Sequence, residues 1–111
     1  MTQLSQTEIP IYSSFGNDPD YRQLVVFFVE ELSHLAADML EKAKASDWEG
    51  LRRAAHQLKG AGGSYGFAPL TPAAARVENA IMAKAPEEEI LEAVHVVADL
   101  CLRARAGQPV A

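Results

Sequence analysis

A chain of 111 residues has room for one packed core but not two. Its 49% hydrophobic and 23% charged content suits an ordinary globular domain, and a formal charge of −5 argues against general nucleic-acid binding, which rests on Lys and Arg neutralising phosphates. The lone Cys101 has no intrachain partner and points to a reducing compartment, expected to be the cytoplasm, while the densest apolar run, Leu24 to Val29, is far short of the roughly 20 residues of a membrane span.

Residues 1–17 show no clear period and contain Pro10, Ser13, Ser14 and Gly16, so they read as a mostly irregular N-terminal arm. Ile9, Ile11 and Tyr12 are its candidates for packing on the body. Nothing at Met1 reads as a secretion signal, and the chain is expected to stand free. Asp18-Pro19 is a helix start, an N-cap acceptor followed by proline at the first helical position. Val25, Phe28, Val29, Leu32, Leu35, Ala36, Met39, Leu40 and Ala43 then recur at helical spacing, which predicts one amphipathic helix over Pro19 to Ala45.

Ser46 to Glu49 fits the capping box Ser-x-x-Glu and opens a second helix carrying Leu51, Ala54, Ala55 and Leu58. This helix is expected to dissolve into the glycines that follow, with Gly62 or Gly63 as a left-handed C-cap. Thr71-Pro72 opens a third helix through Ala75, Val77, Ala80 and Ile81. Pro86 with Glu87, Glu88 and Glu89 opens a fourth, because acidic side chains suit the positive end of the helix dipole. Its apolar line is Ile90, Leu91, Val94, Val97, Ala98, Cys101 and Leu102; Arg103 and Arg105 lie near its end, and Gly107 and Pro109 close it. No segment alternates with strand periodicity. The expectation is an all-α, antiparallel four-helix bundle over residues 18–106, flanked by the arm at 1–17 and a tail at 107–111.

A helix turns about 100° per residue. Glu49, Arg52, Arg53, Lys59, Gly60 and Gly63 therefore project within about 60° of His56, while Leu51, Leu58 and Gly62 fall on the far side. His56 thus faces out on a cationic stripe of an acidic protein. Glycine within a helix costs roughly 1 kcal/mol against alanine. Bare backbone beside an exposed imidazole lets another surface come close, so the stripe is suited to receive an anionic group from a docking protein.

The run His56-x-Leu58-Lys59-Gly60, followed by Ser64-Tyr65-Gly66, resembles the phosphoacceptor motif of histidine-containing phosphotransfer (HPt) domains. Ala54-Ala55, a helix-opening Asp47 and the pair Val77-Glu78 also fit, and the likeness covers roughly residues 19–102. The resemblance implies a four-helix bundle whose histidine takes a phosphoryl group from a response-regulator receiver aspartate and passes it to another receiver. It implies no kinase activity and no cofactor on this chain, with Mg²⁺ held by the receiver. By position, His56 is the phosphoacceptor and Lys59 the cation near the phosphoryl oxygens. Arg52, Arg53, Gly60, Gly63 and Gly66 belong to the docking side, with Gly66 also serving the turn beyond the helix. Glu78, or Asn79 in its place, orients the imidazole through its other ring nitrogen.

Receivers of a hybrid histidine kinase and of a response regulator are the expected partners of a monomer that binds neither nucleic acid nor membrane. Two other readings stay open: a receiver-binding regulator that is never phosphorylated, and a phosphoacceptor domain excised from a larger kinase. Phe27 and Phe28 are read as core, with one of them a candidate for an exposed docking contact beside His56. His34 reads as solvated, and the three histidines share no metal-ligand spacing. No nucleophile elbow, phosphate-cradling loop or catalytic carboxylate pair supports a self-sufficient enzyme.

Overall fold

The computed structural model describes residues 9–107; expectations that fall on residues 1–8 and 108–111, Pro109 among them, lie outside it. Four helices follow in order: α1 (Arg22–Lys44), α2 (Trp48–Ser64), α3 (Leu70–Met82) and α4 (Glu87–Arg103). The short connections 45–47, 65–69 and 83–86 make successive helices antiparallel. Each helix packs on its neighbour in the chain, and α4 closes the ring against α1. This is the all-α bundle that the periodicity predicts.

The apolar stripes meet in one core. Val25, Leu32 and Met39 of α1 pack with Leu51 and Leu58 of α2, Val77 of α3, and Val94 and Val97 of α4. Phe67, in the connection after α2, is fully buried, and Phe28 lies between its ring and that of Tyr65, stacked on the latter at 4.3 Å. Small residues bring α2 and α3 together: Ala55 and Ala74 are sealed, and a Cβ on Gly62 would stand 2.7 Å from the Leu70 Cβ.

The helix boundaries differ from the sequence reading in ways that have local causes. Asp18 does accept from the Asp20 amide at 2.9 Å, but residues 19–21 form a turn and α1 begins at Arg22. Ser46 is not the cap of α2. It takes a left-handed φ of +57° to reverse the chain, and Asp47 accepts from the Gly50 amide instead. Glu49, freed from a capping box, pairs with Arg52. The second helix does not dissolve at its glycines but runs to Ser64; neither Gly62 nor Gly63 is left-handed, and Gly66 is, at φ +81°. Thr71 does not open α3, which starts at Leu70; its hydroxyl donates to the Lys59 carbonyl at 2.8 Å. Pro86 stands where expected, immediately before α4.

Two short strands were not legible as periodicity. Ile11–Tyr12 (β1) pairs in parallel with Ala104–Arg105 (β2), so this part of the arm is ordered against the end of α4. Just beyond, the buried Ser13 hydroxyl donates to the Tyr65 carbonyl, and the Ser14 amide donates to the Gly66 carbonyl at 2.9 Å. The arm thereby ties down the end of α2.

The glycines of α2 separate by substitution. Gly62→Ala should cost about 1–3 kcal/mol through the clash with Leu70. Gly60→Ala, with open space at its Cβ, should gain up to about 1 kcal/mol. Urea unfolding of the two variants checks the opposite signs.

Candidate functional site

The exposed face of α2 carries the site. The His56 side chain is 63% exposed, on a stripe with Glu49, Arg52, Arg53, Lys59, Gly60 and Gly63. Nothing lies within 4 Å of a Cβ built on Gly60, and one built on Gly63 meets only the Thr71 hydroxyl at 3.5 Å. Both glycines leave bare backbone beside the imidazole. Gly66 does not join this stripe: its Cβ position is filled by Ser13, Ser14 and Phe15, so it belongs to the turn and not to an open surface. Of the two adjacent phenylalanines, Phe28 is core and Phe27 is 64% exposed.

The neighbouring helix α3 supplies the group that organises the ring. Glu78 is 6% exposed, and its two carboxylate oxygens divide between two partners on α2. Oε2 lies 2.8 Å from His56 Nδ1, and Oε1 accepts from Lys59 Nζ at 2.7 Å. Arg52 Nη1 stands 4.0 Å from the same Oε2. A carboxylate in so dry a place needs such partners to stay charged. The Lys59 ammonium, and then His56, hold the Glu78 carboxyl below its ordinary value of 4.5 against the opposing effect of desolvation. An ionised carboxylate only accepts hydrogen bonds, so Nδ1 carries the hydrogen of the bond. In the neutral ring this leaves the Nε2 lone pair free. Asn79 is exposed elsewhere on α3, lining a shallow groove with Pro72 and Arg76, and makes no such contact.

Arg52 forks onto Glu49, with Nε to Oε2 at 3.1 Å and Nη2 to Oε1 at 2.5 Å. The pairing lowers the Glu49 carboxyl and raises the Arg52 guanidinium from their usual values. Arg53 is 70% exposed and only approaches Glu49, at 4.0 Å. Sequence spacing does signal the Glu49–Arg52 pair, since residues three apart share a helix face. The Lys59–Glu78 ion pair and the Thr71–Lys59 bond have no such signal, because they depend on the register of two helices. Among the described residues, no cluster of three or more His, Cys, Asp or Glu is placed to hold a metal ion, and no helix is long and apolar enough to cross a membrane.

A depressed carboxyl binds its proton less readily folded than unfolded, so its contribution to stability is present above the unfolded value and lost as pH falls through the folded one. Stability should therefore drop on acidification below about pH 4.5. Glu78→Gln should flatten that part of the profile, as measured by thermal unfolding from pH 6 to about pH 3.

Comparison with known protein families covers most of the chain. The family model described as Hpt domain matches residues 23–107, a span that includes all four helices save the first residue of α1. Searches of curated proteins and of solved structures give no significant match. Hpt domains are helical bundles that carry phosphoryl groups on histidine in phosphorelays, are not kinases, and interact with receiver domains. A four-helix bundle with an outward histidine on its second helix, matched over most of its length, belongs to the Hpt domain family.

Proposed function

We propose that His56 is the phosphoacceptor of this chain, taking a phosphoryl group from a receiver aspartate through Nε2 and passing it to a second receiver. The observation that supports this reading is the pairing of Nδ1 with a nearly buried carboxylate while the ring itself stands 63% exposed. The Nε2 lone pair forms the N–P bond as the acyl-phosphate O–P bond breaks, and the donor aspartate leaves as a carboxylate. Substitution at Nε2 makes the ring positive for as long as Nδ1 keeps its hydrogen. Glu78 stands directly against that charge, which makes phosphoryl transfer in both directions accessible.

Lys59 is the fixed cation of the site. Its ammonium has three donors, one of them on Glu78, and the others are free to meet phosphoryl oxygens. Arg52, Arg53, Gly60 and Gly63 form the surface that meets the receiver, and exposed Phe27 adds an apolar contact on α1. The receiver supplies Mg²⁺, so catalysis here is mainly positioning and charge neutralisation shared by two proteins. The proposed working form is a cytoplasmic monomer between the receivers of a hybrid kinase and of a response regulator. A purely regulatory, unphosphorylated role has less support, because it gives no use to an imidazole held 63% exposed with its Nε2 lone pair free.

Mixing with a phosphorylated cognate receiver should place acid-labile, alkali-stable label on the chain. His56→Gln should remove that label with helicity unchanged by circular dichroism; label retained in this variant refutes the assignment. Gly60→Leu should slow transfer on the order of a hundredfold, since misplacement by an ångström or so costs that much. Lys59→Ala should slow it on the order of a hundredfold without preventing docking, as one lost donor to a developing charge does. Rapid-quench transfer assays read both.

A further inference from the structure

We propose that Arg52 is a mobile second cation of the site, held in reserve by Glu49 and recruited to the phosphoryl group on His56; this rests on the phosphoacceptor reading above. Arg52 lies one helical turn before His56 on the same exposed stripe. Its Nη1 is already 4.0 Å from Glu78 Oε2, the oxygen bonded to the imidazole, so the guanidinium sits at the rim of the site.

The local charges favour a second cation at the phosphoryl oxygens. Glu49 and Glu78 face Arg52, Arg53 and Lys59. With Lys59 satisfied by Glu78 and Arg52 by Glu49, the surplus cation is Arg53, which is 70% exposed and leans toward Glu49. A phosphoryl group carries about two negative charges on its oxygens, and the positive charge it leaves on the ring faces Glu78 rather than those oxygens. Lys59 cannot leave Glu78 without stranding a carboxylate whose side chain is 8% exposed. Arg52 can leave Glu49 at lower cost, because the Glu49 side chain is 62% exposed and its carboxylate returns to water. The planar guanidinium also matches two phosphoryl oxygens at once, which an ammonium does not. Glu49 and the phosphoryl group thus compete for one side chain, and Glu49 tunes how firmly His56 holds its cargo.

The test uses the full chain phosphorylated with phosphoramidate, in which the Nε2–P bond forms as the reagent's N–P bond breaks and ammonia leaves. A ³¹P NMR titration then reads the proton affinity of the phosphohistidine, whose ring proton at Nδ1 is lost as the pH rises. Arg52→Ala should raise its apparent pKa by about half a unit, roughly threefold in proton affinity, and Arg52→Lys should restore less than half of that. Glu49→Gln should lower the value, and most of that effect should vanish in the Glu49→Gln/Arg52→Ala double variant. An unchanged titration in Arg52→Ala, or a Glu49→Gln effect that persists in full without Arg52, overturns the proposal while leaving His56 as phosphoacceptor. Wild-type protein that acquires no phosphohistidine at position 56 removes both.

Discussion

One carboxylate sets the site. Glu78 is almost out of water on α3, and a charge in that position demands partners. Both partners, His56 and Lys59, stand on α2 less than one turn apart, so satisfying Glu78 fixes which way α2 is rotated against α3. The same bond decides which ring nitrogen holds hydrogen and which points to solvent. Packing between two helices is in this way translated into the chemistry of a single atom. The Thr71 hydroxyl on the Lys59 carbonyl pins the two helices at this level.

The glycine-rich stretch after His56 serves three physical ends. Gly62 lets α3 come close enough for Glu78 to reach, since a methyl group there would meet Leu70. Gly60 and Gly63 look outward and leave bare backbone beside the imidazole. Gly66 takes the left-handed turn that releases the chain toward Phe67. Intrinsic propensity argues for a helix that stops early, but tertiary contact with α3 carries it to Ser64.

Periodicity made the four helices and the outward stripe legible, because each depends on residues within one element. Helix ends were less legible. Ser46 and Asp47 are both good caps, and only the path of the chain between α1 and α2 decides that Ser46 bends and Asp47 caps. Phe27 and Phe28 both belong to an apolar run, yet the face shared with Val25 and Leu32 admits Phe28 alone. Strands of two residues are too short to alternate visibly. Between Glu78 and Asn79 the sequence offered two polar groups one position apart, and the register of α3 against α2 chose Glu78.

The arm has a bearing on how this domain is to be handled as a module. The family match starts at residue 23, yet backbone bonds from residues 11–14 reach both the end of α2 and the end of α4. A gene fusion or domain swap cut at that match would discard the clamp and leave the Tyr65 and Gly66 carbonyls facing solvent. The transplantable unit therefore starts upstream of β1, and a junction drawn at α1 would hand the recipient a bundle unbuckled at the end toward which the histidine helix runs.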